Sequence, residues 1–486
     1  MIWDKKKIFY LLLAIFILAL FLRLYQLDQE SFWSDELSTL QYSQNLDNID
    51  RGNPLLYYLF MNKWVNLFGV SEFSMRLPSA ILGASLVLLL YLVGKSLFNK
   101  KVALLSAFMC ATSAIQIVYS QEARAYAMLS VLTLLCAYFF IKSIKTDKLY
   151  GYFFFILLII LTIYLHFLGM ALLIIFNVLF VFFRKGSFRT WVCAQALILG
   201  AIFPLLYSFL KVFVKLYQVD FKSIFSVLGI PLFILDLLLL LSGITLFLVI
   251  FYVVERRNLI KIKFEHCVSS LSIKIEHDQK YFLITCLILS ILFISSYLFS
   301  LKYTLTPYRM FLLRYALFMI PFVYLAVSFF LLKIKEKKYL ALFLIAIILL
   351  NSFSLCWYYS QPTKEEWKEA VKFVEDNVKT KEVILFDAGY MIRNFDYYTK
   401  NSPPNKNLLK ISLLSSTSKE EMHASFNNAV SKISPAQGMW LILSHNWRSE
   451  DFYKLQMDAR YNLIQEKHYK DIDIHYYSGQ RKKIDQ

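Results

Sequence analysis

Apolar runs of about 20 residues recur along this chain, separated by short charged or polar stretches. A run of that length crosses about 30 Å of hydrocarbon as a helix. Reading run by run predicts about eleven spans, near 8–27, 77–97, 102–119, 125–144, 150–165, 167–183, 190–210, 232–254, 281–300, 311–332 and 339–358. Lys5, Lys6 and Lys7 precede the first run as they would in a secretory signal. Its apolar stretch is too long for a signal core, however, and no small-residue cleavage site follows, so a retained helix is expected.

Three stretches break the pattern. Residues 28–76 form a long connection between the first two spans. Within it, Pro54-Leu55-Leu56-Tyr57-Tyr58-Leu59-Phe60 opens a short helix suited to the membrane interface. Residues 255–280 form a basic connector without a motif. Residues 359–486 read as a separate soluble domain. Lys364–Val378 has helical periodicity and precedes a strand-like 382–387, and a second such unit covers 419–433 and 439–443. Alternating helix and strand predicts a small α/β layer. The expected fold class is thus a polytopic α-helical membrane protein, residues 1–358, followed by an α/β domain, residues 359–486.

Composition agrees: 58% of residues are hydrophobic and 18% charged, against about one-quarter charged in soluble proteins. The net charge of +18 could suggest a nucleic-acid partner, but its distribution excludes one. Residues 361–486 are nearly balanced, with 19 Lys+Arg and 17 Asp+Glu. The excess sits in short loops between spans, at Lys142/Lys145/Lys148, Arg184/Lys185/Arg189, Arg256/Arg257 and Lys333/Lys335/Lys337/Lys338. These clusters fall on alternate loops, as the positive-inside rule requires. They predict a multi-pass protein of the cell membrane with a cytoplasmic N-terminus and an extracytoplasmic C-terminal domain. The expected outside segments contain no cysteine, so no disulfide framework is implied.

The chemistry-bearing residues gather on that outer face. Asp35 and Glu36, in Phe32-Trp33-Ser34-Asp35-Glu36, lie just beyond the first span. A carboxylate there can take the proton of an attacking hydroxyl while its neighbour orients the reactant. The plainer alternative is an acidic helix cap. Glu122 and Arg124 occupy the tight turn Tyr119–Tyr126, where charge at membrane depth is costly unless paired or functional. Arg51, Lys63, Arg76, Arg124, Arg309 and Arg314 are cations on the side the topology rule disfavours. A lipid-phosphate ligand needs such partners, and Arg suits phosphate by paired hydrogen bonds. Snorkelling toward lipid headgroups is the rival account. His166 marks another outer turn, able to bond a substrate or simply to close the turn, and Asp236 an outer span end. Asp35 and Glu36 could take a divalent cation, but two adjacent carboxylates without further clustered ligands make a poor site, so no cofactor is indicated.

The order Arg23…Asp35-Glu36…Asn53-Pro54-Leu55-Leu56-Tyr57-Tyr58…Glu72…Arg76-Leu77-Pro78-Ser79…Tyr119-Ser120-Gln121-Glu122-Ala123-Arg124…His166-Phe167…Arg314-Tyr315 resembles bacterial family 39 glycosyltransferases. These are relatives of protein O-mannosyltransferases and of the lipid A aminoarabinose transferase, with the GT-C fold. The segment Glu365-Glu366-Trp367-Lys368-Glu369-Ala370 is similar to the opening of the domain that follows the last span in many of them. The resemblance implies inverting transfer of a sugar from a polyprenyl-phosphate donor to a lipid-linked, surface-glycan or protein acceptor. It implies Asp35 as catalytic carboxylate and Glu122 as second acidic site, with outer-face Lys and Arg on the donor phosphate. Asn53, Tyr57 and His166 are the corresponding substrate-binding candidates. Where relatives commonly carry His-Pro-Pro-Leu, this chain has Asn53-Pro54-Leu55-Leu56, and Asn53 cannot act as a base. Rival functions are a surface-glycan polymerase or ligase, whose key loop usually comes late in the chain, and a lipid or glycan transporter, which would carry mid-bilayer charges or inverted repeats.

Overall fold

The computed structural model describes residues 5–48, 55–166, 168–183, 187–217, 314, 317–399, 408–414, 418–434, 437–444 and 452–482. The expected spans at 232–254 and 281–300, Asn53, Arg51, Asp236 and Arg309 lie outside these residues. Among those described, five helices are long and apolar enough to cross a membrane. They are α1 (Lys5–Leu24), α4 (Glu72–Leu97), α7 (Tyr126–Thr146), α10 (Phe188–Tyr217) and α12 (Lys337–Ser360). The chain is a polytopic membrane protein. Shorter apolar helices are α8 (Leu149–Leu165), α9 (Gly169–Phe183) and α11 (Ile320–Leu331).

One expected span is corrected. The run 102–119 is two helices, α5 (Lys100–Thr112) and α6 (Ala114–Ser120), bent by 59°. Ser113 between them is extended, so carbonyls at the end of α5 lose their helical partners. In hydrocarbon such groups must be satisfied internally. Arg23 on α1 does this: it donates from Nη1 to the Ala111 carbonyl and from Nη2 to that of Cys110, both at 3.2 Å. Its Nε donates to Ser120 Oγ on α6 at 3.2 Å. Gly83 on α4 permits this close approach, since a Cβ there would lie 2.0 Å from Ser120 Oγ.

The long first connection is also helical. It contains α2 (Ser34–Gln44), a 3-10 turn at Leu46–Asn48 and α3 (Leu55–Phe68). α3 buries Tyr57, Tyr58, Met61 and Val65 and exposes Leu67 and Phe68. It stabilises the start of α4. Pro78 has no N–H for the Ser74 carbonyl, and Trp64 Nε1 donates to that carbonyl instead, at 2.9 Å.

After α12 the chain builds a five-stranded sheet of order β2-β1-β3-β5-β4. The strands are β1 (Val383–Phe386), β2 (Leu409–Ser412), β3 (Met439–Ser444), β4 (Tyr461–Tyr469) and β5 (Ile472–Arg481). β1 pairs in parallel with β2 and β3, while β5 runs antiparallel to β3 and β4. Every residue of β1 and β3 is buried. The two faces have separate cores, and alternation along the strands assigns residues to each. Val383, Leu385 and Leu441 pack with α15 (Lys419–Ser431) and α16 (Phe452–Arg460). Ile384, Phe386, Trp440 and Ile442 pack with α13 (Trp367–Asn377) and α14 (Tyr390–Thr399).

Candidate functional site

α2 carries Asp35 and Glu36 in its first turn, and the two diverge. Glu36 is wholly buried. Its Oε1 accepts from Arg76 Nε at 2.8 Å and from the Ala123 amide at 2.9 Å, and its Oε2 accepts from Arg76 Nη2 at 2.7 Å. Lys364 Nζ stands 3.6 Å from Oε2. Burial alone would raise the acid's pKa, but Arg76 and Lys364 outweigh it and bring Glu36 down to about 2. Arg76 is equally committed: Nη1 donates to the carbonyls of Leu27 and Glu30 and Nη2 to that of Ser31. All five N–H groups of its guanidinium are used.

Two expectations are corrected here. Arg76 has no donor left for a phosphate, and Glu36 has no oxygen facing a reactant. Together they are a buried ion pair fixing α2 to α4 and to the turn at 120–125.

Asp35 keeps 35% of its side chain exposed. Arg314 Nη1 donates to its Oδ2 at 2.8 Å, and Arg124 Nη2 lies 3.8 Å from the same oxygen. Arg124 Nη1 donates to the Asp35 carbonyl at 3.1 Å. The two guanidiniums pack over aromatic faces, Arg314 over Trp33 at 5.2 Å and Arg124 over Tyr126 at 6.0 Å. Arg314, Arg124 and Asp35 therefore converge from three distant parts of the chain.

Glu122 joins them from the turn between α6 and α7. Its side chain is buried, and among the described residues its Oε2 makes no hydrogen bond. Burial raises its pKa to about 7, with Lys364 and Arg314 opposing and Glu36 and Asp35 adding to the rise. It can hold or release a proton near neutral pH. The turn itself is rigid: Gln121 Nε2 donates to the carbonyls of Arg23 and Tyr25, and Lys364 Nζ donates to the Gln121 carbonyl at 2.8 Å. Around Asp35 itself, two guanidiniums, Arg124 and Arg314, face a single carboxylate. That local excess of positive charge suits an anionic ligand.

The other candidates lie around this cluster or outside it. Lys63 is exposed on α3, and among the described residues no ion pair joins it to the cluster. Tyr57 is buried at 1% and belongs to the core beneath α2, so it offers no surface to a substrate. His166 caps α8, and its Nδ1 accepts from the Leu168 amide at 3.2 Å. Burial and the nearby Arg124 charge hold it down to about 4, so it is neutral. Its ring lies 6.5 Å from that of Tyr126. Among the described residues no group of three metal-ligand side chains comes together. A cavity of about 240 Å³, lined by Gln26, Glu30, Arg76, Gln121, Tyr358 and Lys364 among others, borders Arg76 but neither Glu36 nor Asp35.

Sequence reasoning missed Lys364, Arg393 and Asn394. Lys364 opens the segment flagged at 365–370, so a signal was present, whereas nothing near Arg393 or Asn394 marked them.

Residues 52–212 match the family described as dolichyl-phosphate-mannose-protein mannosyltransferase. The match takes in Glu122 and Arg124 and begins after Asp35. No curated protein matches the chain. Among solved structures, the Archaeoglobus fulgidus oligosaccharyltransferase crystallised with Zn and sulfate aligns with a TM-score of 0.54 at 10% identity, over 97% of this chain and 73% of that one. The same organism's oligosaccharyltransferase AglB, in complex with an inhibitory peptide and a dolichol-phosphate, aligns with a TM-score of 0.50 at 12% identity, over 97% and 74%. ArnT from Cupriavidus metallidurans bound to undecaprenyl phosphate aligns over 98% of both chains at 12% identity, with a TM-score of 0.44. The fold is the GT-C fold of glycosyltransferases related to protein O-mannosyltransferases, as the residue order suggested.

Proposed function

We propose that the chain is an inverting glycosyltransferase that moves a sugar from a polyprenyl-phosphate donor to a hydroxyl acceptor at the outer membrane face. The acceptor class is a lipid-linked or surface glycan or a protein. The observation that carries this is the half-exposed Asp35 carboxylate held between two arginines. Asp35 takes the acceptor's hydroxyl proton as the oxygen bonds to the anomeric carbon. The bond from that carbon to the phosphate oxygen breaks, and polyprenyl phosphate leaves with one more negative charge. Arg314 and Arg124 serve both ends of this step. As Asp35 becomes neutral, the arginines' charge is released toward the leaving phosphate, where fixed cations stabilise what develops. Glu122, protonated in part near neutral pH, is the second acidic group at the site.

The test is purified protein, a radiolabelled polyprenyl-phosphate sugar and a panel of acceptors. Asp35→Asn removes the base with little change of shape and should lower transfer by about 10²–10⁴-fold with expression intact. Near-normal turnover by this variant would move the role to Glu122.

A further inference from the structure

α2 is short, and Trp33, at the capping position before it, supplies no side-chain cap. An isolated helix of eleven residues is marginal. What fixes it on the outer side is α14 of the sheet domain, more than 350 positions away in sequence. Ser34, Ser38 and Gln41 are spaced to share one face of α2, and Arg393 reaches all three. Its Nη2 donates to the Ser34 carbonyl at 3.3 Å and to Ser38 Oγ at 3.1 Å, and its Nη1 donates to Gln41 Oε1 at 2.5 Å. Asn394 Nδ2 donates to Ser34 Oγ at 2.9 Å and to Glu365 Oε2 at 3.3 Å, the carboxylate that also accepts from Ser34 Oγ. Tyr398, one turn on, accepts from the Phe32 amide at 2.6 Å and donates to Glu72 Oε1 at 3.0 Å.

The bonds that reach α2 and its lead-in fall on Phe32, Ser34, Ser38 and Gln41, and none on the Asp35 carboxylate. We infer that Arg393 and Asn394 are positioning residues, through which the sheet domain sets the direction from which Asp35 meets the acceptor hydroxyl. The domain is then a working part of the active site. This rests on the reading of Asp35 as the base. A misplacement of about 1 Å in a reacting group can cost about 10²-fold in rate.

The experiment uses the full chain with the transfer assay above, and hydrogen exchange over the α2 amides. Arg393→Ala should lower kcat by about 10- to 100-fold while leaving the donor KM near the parent's, and should speed exchange across 34–44. Arg393→Lys should recover only part of kcat, because one ammonium cannot reproduce the fork, and added guanidinium should restore part of the Arg393→Ala loss. Asn394→Ala gives an independent, milder version should Arg393→Ala fold poorly. Arg460→Ala, distant on α16, should match the parent. Unchanged kcat in both the Arg393 and Asn394 variants, beside an inactive Asp35→Asn, overturns the inference and leaves the base reading standing. A raised donor KM with normal kcat also overturns it, making Arg393 a donor contact. Should Asp35→Asn prove active, the base reading fails, and unaltered exchange over α2 then overturns the clamp as well.

Discussion

Asp35 and Glu36 are neighbours with opposite fates, and the difference is set by what each side chain meets. Arg314 is the group whose removal separates donor binding from simple lipid contact. It is Arg, packs on Trp33 and bonds the exposed carboxylate. A charge-assisted bond there contributes roughly 1.5–3 kcal/mol. Arg314→Ala should therefore weaken donor use about 10- to 100-fold, and Arg314→Lys should restore part of that. Apparent KM and kcat for the polyprenyl-phosphate sugar, with acceptor saturating, decide it; wild-type values would leave the arginine a structural partner of Asp35 and Trp33 only. Glu122 yields a second prediction, on stability. Its folded pKa of about 7 exceeds the ordinary 4.5, so the folded state holds the proton more tightly. Its stabilising effect is complete below about pH 4.5 and is lost as pH rises to about 7. Glu122→Gln removes that dependence. Melting of the two proteins in detergent should diverge between pH 5 and 8, the parent losing at most about 3 kcal/mol relative to the variant. Parallel curves would put the Glu122 proton elsewhere.

At the scale of elements, α2, α4 and the turn at 120–125 are joined by Glu36, Arg76 and the Ala123 amide. Removing one member of a buried pair leaves an uncompensated charge and costs about 3–5 kcal/mol. We predict that Glu36→Ala and Arg76→Ala lose most of their folded yield by size-exclusion in detergent, where Asp35→Asn does not. Monodisperse Glu36→Ala at parental yield would contradict the anchoring role. The sequence was informative about these elements in proportion to how local their causes are. Apolar runs gave α1, α4, α7 and α12, and the doubly buried strands β1 and β3 read as continuous apolar stretches. The break at Ser113 was hidden because its compensation comes from Arg23, far off in the chain. Asp35, Glu122, Arg124 and Arg314 could be named from residue order. Which of two adjacent acids would be buried could not, because Arg76 and Lys364 decide it through space. β4, β5 and α14 carry too weak a periodicity to be predicted from sequence.

For the whole molecule, sidedness follows from contact. α14 touches α2, and the ends of α1 and α12 meet, with Tyr25 and Tyr359 ring centroids 5.1 Å apart. The sheet domain and the Asp35 helix therefore lie on one side of the membrane, and we predict that side to be the outer one. With Cys193, Cys267, Cys286 and Cys356 replaced, Asn428→Cys on α15 should label with an impermeant maleimide in intact cells. Lys337→Cys at the start of α12 should label only after lysis. The reverse pattern would invert the topology.

That same seam has a bearing on manufacture. Glu30 accepts from the Thr363 hydroxyl, 333 positions later, and Lys368 Nζ reaches the Asp28 carbonyl across 340. A ribosome adding about 5–20 residues each second delivers the second half of these contacts roughly 20–70 s after the first. Throughout that interval the opening loop waits with Glu36 short of its Lys364 partner. Premature termination anywhere before α14 thus leaves an unfinished loop, a defect that quality-control proteases can recognise.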